Sequence, residues 1–112
     1  MILGLDYDDT ITSYTLGLSV LANTASTIHV ITLNTDVTSE LVAKILNYEH
    51  HIFVHIMPDS AFDTLAEDVG IGKWKANKCK ELGVDLMIDD LQSVCDACTE
   101  IGVPSIQVHL KD

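Results

Sequence analysis

Two carboxylates and a hydroxyl near the amino terminus have the spacing and setting that chemistry requires. An apolar run at residues 2–5 ends in Asp6, and Asp8 and Thr10 follow at intervals of two. Because alternate side chains of extended backbone share a face, Asp6 and Asp8 can reach one substrate or one cation. Carboxylates this close repel one another, and Mg²⁺, which prefers oxygen ligands, would relieve the repulsion. A solvated acidic turn after an edge strand is the alternative.

The elements that would position these groups alternate along the chain. Apolar runs predict five strands, at residues 2–6, 28–33, 52–57, 84–89 and 105–110. Helical periodicity predicts helices between them, at residues 14–25, 39–46, 61–69, 73–82 and 91–101. Thr38 is the expected cap of the second helix, and residues 70–72 (Gly-Ile-Gly) are expected to break the chain between the third and fourth. This order predicts an α/β fold, a Rossmann-like three-layer sandwich with a five-stranded parallel sheet.

Parallel sheets bind ligands at the carboxyl ends of their strands. Asp6, Thr32 and Asp89 stand at the ends of the first, second and fourth predicted strands. The predicted sheet would therefore gather acids and a hydroxyl that are distant in sequence into one crevice.

Length and composition set the broad class. A chain of 112 residues predicts one domain, 1–112, and its 47% hydrophobic content suits a sheet buried on both faces. No apolar run reaches the roughly 20 residues of a membrane helix and no leader pattern is visible, so a cytoplasmic location without membrane association is expected. Cys95 and Cys98 fall on the stripe of a core-facing helix, which favours a structural role over a metal site.

The charge balance limits the partners. The net charge is −11 and the chain contains no arginine, so neither an extended nucleic-acid surface nor an arginine clamp on phosphate is expected. Four of the six lysines lie close together, at Lys73, Lys75, Lys78 and Lys80.

The pattern Asp6-x-Asp8-x-Thr10 after an apolar strand resembles the first motif of the haloacid dehalogenase (HAD) superfamily. Three further features of that family have candidates in the same order. Thr32 matches a hydroxyl after the second strand, with Asn34 or Thr35 as alternatives. Lys75 matches a lysine before the fourth strand, with Lys78 as its competitor.

The fourth feature of the family is an acidic pair at the end of the fourth strand, which Asp89 and Asp90 match. The alternative is that this pair supplies the N-cap and a first-turn acid of the last helix. The two roles are compatible, because adjacent residues can divide them.

The resemblance implies a Mg²⁺-dependent phosphatase, a hydrolase of phosphoric ester bonds. Asp6 would be the nucleophile that becomes an aspartyl phosphate, and Asp8 the general acid and base. Thr32 and Lys75 would bind the phosphate oxygens in the transition state. Mg²⁺ would be held by Asp6, the Asp8 carbonyl, and Asp89 or Asp90.

Size separates this chain from larger members of the family. The intervals between motifs are filled by the predicted strands and helices, which predicts a member without a cap domain. An open site would admit a phosphorylated macromolecule, or a partner subunit would close over a small phosphorylated substrate, so a homo-oligomer is one of the two expected arrangements.

Two other functions compete. A response-regulator receiver would use Asp8-Asp9 as its acidic pair, Asp59 as phosphoacceptor and Lys111 as its lysine, but the fourth strand ends in acids where a receiver needs a hydroxyl. A non-catalytic HAD-like binding protein is the other.

His50, His51 and His55 alternate faces around the third strand, which favours an incidental cluster over a metal site.

Overall fold

Five parallel strands form the sheet. The computed structural model describes residues 1–48, 51–59 and 67–109. In chain order the strands are β1 (Ile2–Leu5), β2 (Thr27–Thr32), β3 (His51–Ile56), β4 (Leu86–Asp89) and β5 (Ser105–Gln107), and they lie side by side in the order β3-β2-β1-β4-β5. Every pairing is parallel. The predicted parallel five-stranded sheet is therefore confirmed, with β1 at its centre.

Helices cover both faces of this sheet. They are α1 (Thr15–Ala22), α2 (Ser39–Leu46), α3 (Glu67–Leu82) and α4 (Gln92–Glu100). Leu3, Leu5 and Val30 point to the face where α1 and α2 pack, whereas Ile31 and Met87 point to the face with α3 and α4. Fully burying an aliphatic side chain stabilises the fold by about 1.5–3 kcal/mol, so alternation along the strands fixes which face each helix covers. This is the expected three-layer α/β sandwich.

One predicted boundary is wrong. Residues 70–72 do not break a helix, since α3 runs without interruption from Glu67 to Leu82. The glycine at position 72 serves packing instead: a Cβ built there would overlap the Ser93 carbonyl oxygen and lie 2.7 Å from the carbonyl carbon. Glycine in a helix costs only about 1 kcal/mol relative to alanine, and the close approach of α3 to α4 outweighs that cost.

The remaining boundaries differ by a few residues at most. The predicted helix over residues 61–69 lies largely outside the described residues. Strand β5 ends at Gln107, three residues earlier than predicted. Strand β4 begins at Leu86, two residues later than expected. Among the helices of the described ranges, none combines the length and the apolar character needed to cross a membrane.

Candidate active site

The two central strands bring the first and last acids together. Asp6 follows the end of β1, and Asp89 is the last residue of its neighbour β4. Leu5 lies opposite Ile88, and the backbone N–H of Asp6 donates to the Ile88 carbonyl at 3.0 Å. Strand pairing itself therefore places the two carboxylates, both buried, at the same carboxyl edge of the sheet.

Lys75 lies between these carboxylates. Its side chain reaches from α3 and is only 3% exposed. The Nζ atom donates to Asp6 Oδ1 at 2.8 Å and to Asp89 Oδ2 at 2.9 Å. Burial alone would lower the pKa of Lys75, but the charges of Asp6 and Asp89 and the hydrogen bonds to both raise it above its ordinary value. Lys75 therefore carries its positive charge inside the site at neutral pH.

A tight turn over Tyr7–Ile11 holds the other side of Asp6. The turn is closed by the Thr12 N–H donating to the Tyr7 carbonyl at 3.2 Å, and Asp9 adopts a left-handed φ of 63°. The turn folds the buried Thr10 back, so that its hydroxyl donates to Asp6 Oδ2 at 3.1 Å. Each oxygen of Asp6 thus has one donor, which fixes the orientation of the carboxylate.

Asp90 adds a third acid. One carboxylate oxygen from each of Asp6, Asp89 and Asp90 lies within 4.8 Å of the others. Burial and the neighbouring carboxylates, Asp6 first and Asp89 with it, raise the pKa of Asp90 to about 7. Burial raises the pKa of Asp89 as well, despite the opposing attraction of Lys75. When all three carboxylates are ionised, the single ammonium leaves two negative charges uncompensated, and an all-oxygen donor set of this charge fits Mg²⁺.

The raised pKa of Asp90 gives a testable pH dependence. In the metal-free protein, the folded state holds the Asp90 proton up to about pH 7, whereas the unfolded chain releases it near the ordinary value of 3.8. The folded state therefore binds more protons in this window, and Asp90 removes stability as the pH rises through it. We expect the free energy of unfolding of Asp90→Asn, relative to that of the original protein, to increase from pH 4 to pH 7 and then stay level. Urea titrations in chelator test this, and a flat difference would contradict it.

Asp89 also interacts with the start of the last helix. Its Oδ1 accepts the backbone N–H of Leu91 at 3.0 Å, while Oδ2 accepts Lys75. The N-cap of α4 is Leu91, without a side-chain capping bond, so neither Asp89 nor Asp90 is the helix cap. The structure instead places both acids of this pair at the site.

The hydroxyl of Thr32, the last residue of β2, is buried at the edge of the site. Thr32 Oγ1 accepts the backbone N–H of Asn34 at 3.0 Å. The side chain of Asn34 reaches back to Asp8, with its Nδ2 atom 3.3 Å from Oδ2 and 3.4 Å from Oδ1. The structure thus separates the alternatives: Thr32 lines the cleft and Asn34 holds Asp8, whose carboxylate is exposed at the mouth. Thr35 is not among the described residues that line it.

The two lysine candidates have different partners in the structure. Lys78 lies one helical turn from Lys75 but points elsewhere, pairing with Glu81 at 3.2 Å and lying 5.6 Å from the centre of the Trp74 ring. A surface pair of this kind contributes about 0–1 kcal/mol. Lys75 is the lysine of the site.

These groups surround an open cleft of about 270 Å³. Its described lining consists of Asp6, Asp8, Asp9, Thr32, Leu33, Asp68, Ile71, Lys75, Asp89, Asp90 and Leu91. Asp68 lines the cleft but was not predicted from the sequence. Its position depends on how α3 crosses the edge of the sheet, and no local sequence pattern indicates that crossing. Asp9 was visible in the sequence as a third acid, but its left-handed backbone was not.

Comparisons of the chain with protein-family models, with curated proteins and with solved structures found no match. Functional interpretation therefore depends on the chemistry of the cleft.

Proposed function

We propose that this protein is a Mg²⁺-dependent phosphatase that hydrolyses phosphomonoesters through an aspartyl phosphate on Asp6. The observation that carries the proposal is the setting of the Asp6 carboxylate, held between the Lys75 ammonium and the Thr10 hydroxyl at the edge of an open acidic cleft. The hydrogen bonds to both oxygens orient the Asp6 carboxylate for attack on an electrophile. Burying this carboxylate and its ammonium partner costs desolvation free energy, which a solvated surface pair would not require.

Asp6 and Asp8 have different roles in the two chemical steps. Asp6 attacks phosphorus, the bond from phosphorus to the ester oxygen breaks, and its electron pair leaves with that oxygen. Asp8, exposed at the mouth and held by Asn34, gives its proton to the leaving oxygen. Asp8 then accepts a proton from the water that attacks the aspartyl phosphate, and this releases phosphate and restores Asp6.

Lys75 and Thr32 are the donors for the phosphate oxygens. The Thr32 oxygen accepts a hydrogen bond from Asn34, and among the described residues its own proton has no acceptor, so it is free to donate to a phosphate oxygen. Lys75 contributes a fixed positive charge inside the cleft. Donors positioned before reaction stabilise developing charge without reorganisation.

Asp6, Asp89 and Asp90 would hold Mg²⁺, with the Asp8 carbonyl as a further ligand. The ion would neutralise the acids and the phosphate, which is needed because Lys75 is the single cationic side chain among the described residues lining the cleft. Without it, a phosphate dianion would meet a site with a surplus of negative charge.

Sheet order favours this proposal over a receiver. Receivers have the order 2-1-3-4-5, whereas this sheet has the order 3-2-1-4-5. Asp59, the phosphoacceptor of the receiver interpretation, is not among the described residues lining the cleft. Lys111 lies outside the described residues.

We propose that the substrate is a phosphorylated small molecule or macromolecule, because the cleft is open to either. The chain contains no arginine that could clamp the phosphate. A homo-oligomer in which a partner closes the cleft is proposed for the small-molecule case. We also propose a cytoplasmic location, where the free thiols of Cys79, Cys95 and Cys98 would stay reduced.

Metal removal tests the proposed function. We expect hydrolysis of 4-nitrophenyl phosphate and of a panel of nucleotides, sugar phosphates and phosphopeptides to require Mg²⁺, to stop in excess chelator and to return when Mg²⁺ is restored. Full turnover in chelator would exclude the metal role. Binding of phosphorylated ligands with no turnover of any substrate would favour the non-catalytic binding protein instead.

A further inference from the structure

A pair of histidines lies on the sheet away from the acid cluster. His29 is buried in β2, and half-buried His55 lies on the neighbouring strand β3. Their rings are 5.0 Å apart, and His29 Nδ1 is 2.9 Å from His55 Nε2. Ile31 lies opposite His55 in the strand register, which places the two histidines diagonally on one face. The pair is thus built by strand pairing and not by a loop.

The surroundings keep both rings neutral and fixed. Burial, followed by the neighbouring His55, lowers the pKa of His29, and burial lowers the pKa of His55 as well. The Phe53 ring stacks on His29 at a centroid distance of 5.6 Å. On α3, Lys78 lowers the pKa of His55 further and Glu81 raises it. A neutral imidazole whose orientation is fixed is the form that binds transition metals.

From this arrangement we infer that His29 and His55 form a binding site for a divalent transition metal ion of octahedral or tetragonal geometry, such as Ni²⁺ or Cu²⁺. Two bonds of about 2.0–2.1 Å at a right angle place their nitrogens about 2.9 Å apart, whereas a tetrahedral angle would need about 3.4 Å. The observed separation of 2.9 Å is that of a hydrogen bond between the rings, and it equals the separation that the right angle requires, so the ion would bind once both lone pairs turn towards it.

Binding replaces the hydrogen bond between the two neutral rings by the metal. The ring that carries the shared proton changes tautomer, so that the proton moves to its other nitrogen, and both facing nitrogens then donate lone pairs to the ion. Glu81 is exposed on α3 and its negative charge acts on His55, so it favours a cation at the pair, and water would fill the remaining positions of the ion. The site is independent of the proposed phosphatase, because none of its ligands lines the cleft.

Titration with Cu²⁺ and Ni²⁺ in excess Mg²⁺, which occupies the acid cluster, tests the inference. We expect one ion per chain by calorimetry. His29→Gln and His55→Gln should each weaken binding at least about 10-fold, and Glu81→Gln should weaken it less. The matched control is His51→Gln, an exposed histidine of the same strand, which should leave affinity unchanged.

The electron paramagnetic resonance spectrum of the Cu²⁺ protein distinguishes this pair from adventitious binding. Two equivalent nitrogens should split the signal into five lines, and each single variant should reduce the pattern to three. Equal affinity in the original protein and His55→Gln, or a one-nitrogen pattern in the original protein, would overturn the inference. His55→Gln decides alone if His29→Gln does not fold, because His55 is half-buried on an edge strand.

Discussion

Asp6→Asn is expected to lose all phosphatase activity above background, because no aspartyl phosphate can form on an amide. Asp8→Asn should instead keep a measurable rate, reduced by about 10²–10⁴-fold, the usual scale for loss of a general acid or base. The two residues are only two positions apart, yet Asp6 is buried and bonded on both oxygens while Asp8 is exposed at the mouth. Initial rates with saturating Mg²⁺ measure both effects.

The leaving group separates the two roles further. An alkyl phosphate releases a strongly basic oxygen that needs the Asp8 proton, whereas 4-nitrophenolate leaves without one. The loss in Asp8→Asn should therefore be smaller with the nitrophenyl ester during formation of the aspartyl phosphate, which a single-turnover burst of nitrophenolate reports. Apparent affinity for Mg²⁺ should change more in Asp6→Asn, since its side chain is a proposed ligand. An active Asp6→Asn beside a dead Asp8→Asn would mean that the nucleophile is another group.

The five strands and their parallel arrangement were predicted correctly from local sequence. Strands ending in acids are visible in sequence because both signals, an apolar run and the carboxylates after it, lie within a few residues. The Thr38 cap of α2 is equally local, and its hydroxyl accepts the Leu41 N–H at 3.2 Å. Parallel topology then brings the strand ends to one edge without further information.

What sequence could not decide depends on contacts between elements. Lys75 and Lys78 are one turn apart, and the choice between them depends on how α3 is rotated against the sheet. The glycine at position 72 resembles a helix breaker until Ser93 of α4 is seen against it. His29 and His55 meet only through the register of β2 and β3, so the sequence pattern grouped His55 with His50 and His51 and gave no indication of His29.

The buried ion pairs of Lys75 predict a large effect on stability. In metal-free protein near neutral pH, Lys75→Met would leave two buried carboxylates, Asp6 and Asp89, without their ammonium. Breaking a buried pair by removing one partner costs about 3–5 kcal/mol, so we expect a loss of that size in the free energy of unfolding. Urea denaturation in chelator measures it. Lys78→Met is the matched control, and its exposed pair with Glu81 predicts a change of at most about 1 kcal/mol.

Mg²⁺ should restore stability to Lys75→Met without restoring activity. A divalent ion held by Asp6, Asp89 and Asp90 would supply the positive charge that the variant lacks, and an ion that binds only the folded state stabilises it. We therefore expect Mg²⁺ to raise the Tm of Lys75→Met more than that of Lys78→Met. Turnover should stay low in Lys75→Met, because the donor for a phosphate oxygen is missing. Equal stabilisation of both variants by Mg²⁺ would mean that the ion binds away from these acids, and recovery of full turnover would remove Lys75 from the reaction. Restored stability with activity still lost would separate the role of Lys75 as a structural counter-charge from its role towards the substrate.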